Sequence, residues 1–191
     1  MDWMKSLGSM LDRYSDDVRP DAVPDTVDDD FDQLATTAPP EALSEGLAAA
    51  FRSDHTPEFP QMASQMFGQA SGAQRANILR TLMQVAGPLV LQQVLARRRA
   101  ASPGAADGGG LGGILDKVLG RNQSQVTPED ADAIDPQTVE ELAREAEKKD
   151  PSIIDRLSRV YAEQPQLLKT LGGIALAVAL GRLAQRHGTL R

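Results

Sequence analysis

Apolar residues recur along this chain at intervals of three and four. No stretch alternates apolar with polar residues in the way a half-buried strand would. The stripe Trp3, Leu7, Met10, Leu11 and Tyr14 predicts a helix over 2–14, followed by a polar, proline-containing linker over about 15–27. "DDDFDQLATT" reads as a short helix whose acidic first turn suits the positive end of the helix dipole. "PPEALSEGLAAAFRS" places Leu43, Leu47, Ala50 and Phe51 inward. "TPEFPQMASQMFGQ" carries the stripe Phe59, Met62, Ala63, Met66 and Phe67, with Thr56 as N-cap and Pro57 in the first helical position. Ser71 and Gln74 fit a capping box for a helix over about 73–98, which Gly87-Pro88 should kink or break. Residues 100–110, "AASPGAADGGG", read as a flexible linker. Beyond it, Thr127-Pro128, Asp135-Pro136 and Asp150-Pro151 each pair an N-capping residue with a proline suited to a helix start. The pattern predicts an all-α fold of about ten helices.

The most apolar segment is "KTLGGIALAVALGRLAQRHG" over 169–188. Twelve uncharged residues lie between Lys169 and Arg182. As a helix they cover roughly 18 Å, well short of about 30 Å of hydrocarbon. The segment is therefore expected to be a core helix first, a contact between copies second, and a membrane-surface element last. Gly173, Ala177 and Gly181 recur every four residues and form a ridge of small side chains that admits another helix closely, expected to be the one over 82–95.

The second half of the chain repeats features of the first. "LGSMLDRY" from Leu7 matches "LGGILDKV" from Leu111, and "PEALSEGLAAAFRSD" from Pro40 matches "PQTVEELAREAEKKD" from Pro136. "ILRTLMQVAGPLVLQQVLAR" from Ile78 aligns without gaps onto "LLKTLGGIALAVALGRLAQR" from Leu167, pairing Leu79 with Leu168, Thr81 with Thr170 and Leu91 with Leu180. Amphipathic Ala/Leu helices align with one another by composition alone, but these three blocks and a fourth, with Thr56-Pro57 opposite Asp150-Pro151 and Phe59 opposite Ile153, keep one order and favour a duplication. The expected organisation is an N-terminal amphipathic helix over 1–14, a first helical repeat over 28–99, the linker over 100–110 and a second repeat over 111–188. The two sequence-similar halves should pack as one compact helical unit, since each alone is marginal for a core.

Composition narrows the function. Aromatic residues make up 4% and the apolar content is mostly Ala, Leu, Val, Ile and Met, which suits close helix packing. The net charge of −7 argues against nucleic acid, whose phosphates need a cationic footprint. With no cysteine there is neither a disulfide framework nor thiolate chemistry. In "MDWMKSLGSMLDRY" the charges at Asp2, Lys5, Asp12 and Arg13 interrupt any signal-peptide core, so a cytoplasmic, bacterial protein is expected.

Candidate chemistry is sparse. The run Asp28, Asp29, Asp30 and Asp32 invites a cation, but a calcium loop needs Gly at its sixth position and Glu at its twelfth. Counted from Asp28 these are Gln33 and Pro39, and counted from Asp30 they are Ala35 and Glu41. Glu129, Asp130, Asp132 and Asp135 read as helix-start residues in the same way. His55 and His187 are too few for a structural metal site. "GGGLGG" over 108–113 is better read as a linker into a helix than as a phosphate nest. No catalytic residue, cofactor or metal is therefore expected. Arg97, Arg98 and Arg99 are the one basic cluster. They suit a helix C-terminus, and the alternative is contact with an anionic partner or lipid headgroups.

"MDW", "DDDFD", "LSEGLAAAFRSDHTPEF", "GGGLGGILDKVLG" and "EKKDPSIIDRLSRVYAEQPQLLKTLGGIALAVAL" resemble a group of uncharacterised bacterial all-helical proteins across nearly the whole chain. Residues 108–187 are loosely similar to the YidB-like family of unknown function, through the Gly-rich "GGLG" segment. Neither resemblance implies a catalytic residue or a ligand. The expected function is a non-catalytic interaction or scaffold protein, acting through a protein partner or self-association. A peripheral membrane protein and an enzyme of unrecognised type are the alternatives.

Overall fold

A computed structural model describes residues 7–14, 23–101 and 126–189. The chain is all-α: the described residues form eleven α-helices and two short 3-10 turns, with no strand among them. It makes two compact units, residues 1–58 with 154–191, and residues 59–153.

The first unit contains α1 (Gly8–Leu11, continued by a 3-10 turn over Asp12–Tyr14), α2 (Val27–Thr37) and α3 (Pro40–Phe51). From the far end of the chain it takes α9 (Ile153–Ala162), α10 (Pro165–Leu168, continued by a 3-10 turn over Lys169–Leu171) and α11 (Gly173–Thr189). The main pairing is α11 with α3, and α1 and α2 also lie against α11. Leu11, Leu34, Leu47, Leu176 and Leu180 are fully buried there. Leu43, Leu47 and Ala50 recur at intervals of four and three, which gives α3 its buried side.

The second unit contains α4 (Phe59–Gln69), α5 (Gly72–Ala86), α6 (Pro88–Ala101), α7 (Pro128–Asp132) and α8 (Pro136–Lys149). Here α8 lies on α4, α5 and α6, and α5 also packs on α7. The stripe Phe59, Met62, Ala63, Met66 and Phe67 is buried, as its spacing predicts.

Caps explain most boundaries. The Thr127 hydroxyl accepts from the Asp130 amide at 3.2 Å, and the Asp135 carboxylate accepts from the Thr138 amide at 2.9 Å. The Ser71 amide donates to Gln74 Oε1 at 2.8 Å, the predicted reciprocal arm of a capping box. Two expectations are corrected. Thr56 does not cap α4, because its hydroxyl turns back to the Ala50 and Ser53 carbonyls at 2.6 and 2.9 Å, satisfying carbonyls at the end of α3. Asp150 accepts from the Ser152 amide at 3.0 Å, closing a turn, and α9 begins only at Ile153.

A further correction concerns the C-terminal segment, which is not one helix over 169–188. It breaks at Gly172, with φ 82° and ψ 158°, nearly the conformation of Gly87 between α5 and α6, with φ 85° and ψ 164°. Aligning the two breaks pairs Leu82 with Leu167, Ala86 with Leu171, Leu91 with Leu176 and Arg97 with Arg182. This register differs by four residues from the gapless sequence alignment. A slip of about one turn keeps the same helix face inward, so apolar identity alone does not separate the two registers. The packing does not show the duplication: α3 lies chiefly against α11, whereas its sequence counterpart α8 lies chiefly against α4. Of the linker expected over 100–110, residues 100 and 101 instead end α6; residues 102–110, the second match to "LGSMLDRY" and residues 2–6 of the first expected helix lie outside the described residues.

Candidate functional site

An open groove of ≈ 850 Å³ lies in the first unit. Glu45, Ala48 and Ala49 come to it from α3, and Arg52 from the residue that caps its C-terminal end. Asp155 of α9 and Arg182 and Gln185 of α11 complete it. The spacing Glu45, Ala48, Ala49, Arg52 is one face of a helix, so α3 buries Leu43, Leu47 and Ala50 on one side and presents this stripe on another. Two alanines floor the groove and four ionic side chains line it.

Across the groove wall, Arg52 Nη1 and Nη2 donate to the two carboxylate oxygens of Asp155 at 2.9 and 2.8 Å. This bidentate geometry is the strong form of an arginine–carboxylate pair. The hydrogen bond from Arg52, and its charge, hold the Asp155 carboxyl below the usual carboxylate range, and the same bond raises Arg52. Both side chains remain 44% exposed, so the pair orients α3 and α9 more than it stabilises them.

Beside α1, a second polar centre is buried. Asp30 accepts from Tyr14 at 2.7 Å, Thr26 at 3.0 Å and Arg13 at 3.3 Å. Burial, and next the hydrogen bond to Asp30, push the Tyr14 phenol up to about 12. The acidic run of α2 therefore has divided roles. Asp28, Asp29 and Asp30 lie in the first turn of the helix, Asp30 also anchors the N-terminal segment, and Asp32 accepts from Lys169 at 2.7 Å. A signal for Asp30 exists in the sequence: with Val27, Phe31 and Leu34 it falls on the buried stripe of its own helix.

The small-residue ridge is placed in the first unit. Ala177 and Gly181 are buried on α11, and a Cβ on Gly173 would lie 3.3 Å from Val27 Cγ1 and 3.4 Å from Val23 Cγ1. The neighbours of α11 in this unit are α3, α1 and α2, whereas residues 82–95, the expected partner, belong to the second unit. Arg97, 62% exposed, approaches Glu145 of α8 at 3.8 Å, while the side chains of Arg98 and Arg99 lie outside those described. His55 is exposed in the turn after α3 and does not face the groove, and His187 lies outside the described side chains. Among the described residues no three acidic or histidine side chains converge as metal ligands would, and no helix is long and apolar enough to cross a membrane.

The groove was not legible in the sequence, because it joins helices more than a hundred residues apart. The only local hint is the pair of alanines between Glu45 and Arg52. Comparison with protein-family models, curated proteins and solved structures gives no match to this chain.

Proposed function

We propose that the protein is a non-catalytic helical interaction protein of the bacterial cytoplasm, and that the groove of its first unit receives a segment of a partner polypeptide, a second copy included. One observation carries this reading: Ala48 and Ala49 floor a groove lined by Glu45, Arg52, Asp155 and Arg182. A floor of methyl groups lets another backbone approach closely. Ionic side chains of both signs around it favour a mixed-charge segment over a polyanion and fix its register more than its affinity. Arg52 and Asp155 are already paired, so they meet a partner without leaving an isolated charge to desolvate.

The test places a photo-crosslinking amino acid at Gln185, on the exposed rim, in the native cell. A discrete crosslinked polypeptide is expected, and Ala49→Trp should abolish it by filling the floor while leaving the helical circular dichroism unchanged. Crosslinking that survives Ala49→Trp, or that arises equally from a probe at exposed Glu58, would remove the groove from the interaction.

A further inference from the structure

Helix α9 is buried along Ile154, Leu157, Ser158 and Tyr161, the spacing of one helix face. Ser158 and Tyr161 are wholly buried, at 0% exposure. Among the described residues, neither Ser158 Oγ nor Tyr161 OH has a hydrogen-bond partner, and Gln164 Oε1, three residues further on, has none either. Ser158 and Tyr161, three apart on α9, are offset by about 60° on one side of the helix, and Gln164 lies two residues beyond the helix's end at Ala162.

The hydroxyls of Thr81, Thr170 and Tyr14 behave differently. The Thr81 hydroxyl donates to the Asn77 carbonyl at 2.9 Å and that of Thr170 to the Leu167 carbonyl at 2.6 Å, the usual recourse of a hydroxyl inside a helix. Tyr14, the other buried phenol, donates to Asp30. Buried tyrosine hydroxyls normally find such a partner. Tyr161 instead has its ring tilted 56° against Phe51 at 6.1 Å, with its hydroxyl unpaired.

The three groups define what would satisfy them. Two hydroxyls each both donate and accept, and an amide oxygen accepts only. Their complement is a small guest that both donates and accepts, and a buried water typically bonds to about three otherwise unsatisfied polar groups. We propose that Ser158 and Tyr161 on α9, with Gln164 just beyond its end, form an internal water-binding site, in which one or two water molecules bridge the two hydroxyls and the amide oxygen. Because α9 also carries Asp155, this site seats the helix that forms one wall of the groove. Burial pushes the Tyr161 phenol above its ordinary range, so it stays a neutral hydroxyl and keeps both its donor and its acceptor.

Two conservative variants test the site. Tyr161→Phe deletes one hydroxyl and keeps the ring against Phe51, and Ser158→Ala deletes the other. If water completes the network, each variant should melt about 2–4 °C lower than wild type. The double variant should lose less than the sum, because both hydroxyls share one guest. Unchanged or higher melting temperatures in both would mean that the hydroxyls have no guest, which overturns the proposal. In the unaltered protein, NMR should show cross-relaxation between long-lived water and the amides of α9 around Ser158, weakened in Tyr161→Phe. Absence of that signal overturns the proposal independently of stability. An organic mass retained by the native protein and lost in Tyr161→Phe would also overturn it, by naming a different occupant.

Discussion

A Cβ placed on Gly46 of α3 would stand 3.0 Å from the carbonyl oxygen of Ala179 on α11 and 3.4 Å from its Cβ. The atom met first is backbone, which no side-chain rotation moves away. In an exposed helix interior, Gly→Ala stabilises by about 1 kcal/mol. Here the added methyl must push α3 and α11 apart, and overpacking costs about 1–3 kcal/mol. Gly46→Ala is therefore expected to lower the urea midpoint, against the propensity trend. Gly68→Ala is its control: that Cβ would meet only Pro136 Cγ, at an ordinary 3.6 Å, so a gain of up to about 1 kcal/mol is expected. If both variants gain stability, the α3–α11 contact is looser than described.

Ala177 of α11 is fully buried at 0% exposure. Leu is nearly as good a helix former as Ala, so Ala177→Leu changes little except volume. It should cost roughly 1–3 kcal/mol through overpacking, read as a lower urea midpoint at an unchanged slope. An unchanged midpoint would mean that the site can absorb three further carbons. A loss that shrinks as the protein is diluted would place the contact between copies rather than within one.

The all-α character and most helix positions were readable because local signals and the fold agree. The buried stripe from Phe59 to Phe67 and the caps at Thr127 and Asp135 need no tertiary information. Where reading failed, a distant or competing partner decided. Thr56 is a good N-cap by type, yet the end of α3 claims its hydroxyl. Asp30 looked like one more carboxylate at a helix start until Tyr14, sixteen residues earlier, was brought against it. Arg52 and Asp155, 103 residues apart, show no signal at all in one sequence. The Gly172-Gly173 pair was visible as residues, but the Ala/Leu richness around it masked the break.

Gly172 provides a test of that break. Its φ of 82° with ψ of 158° belongs to a region essentially restricted to glycine, and an added Cβ would meet nothing within 4 Å. Any cost of Gly172→Ala is therefore backbone strain, of order 1–3 kcal/mol, with no steric contribution. A cost of this size in the denaturant midpoint is expected. Gly172→Ala with full stability would mean that the 3-10 turn and α11 can join into one continuous helix.

Alkaline pH should weaken the first unit, with a direction set by its two buried tyrosines. Tyr14 is raised to about 12, by burial first and then by its bond to Asp30, and Tyr161 is raised by burial. Above the ordinary phenol value of about 10 the unfolded chain gives up these protons while the folded chain keeps them. The unfolded state then binds fewer protons, and stability falls as pH rises. The contribution is fully present below pH 10. For Tyr14 it is lost between pH 10 and about 12, amounting to roughly 2–3 kcal/mol over those two units. Lys169, raised by its bond to Asp32, acts in the same direction, so the aromatic share has to be separated by substitution. Tyr14→Phe should cost stability at neutral pH by leaving Asp30 without its closest donor, and should flatten the decline between pH 10 and 12. Chemical denaturation of both proteins at intervals across pH 7–12 measures the two slopes. Parallel slopes would mean that Tyr14 ionises in the folded state as it does in the unfolded chain, and that its hydroxyl is not held against Asp30.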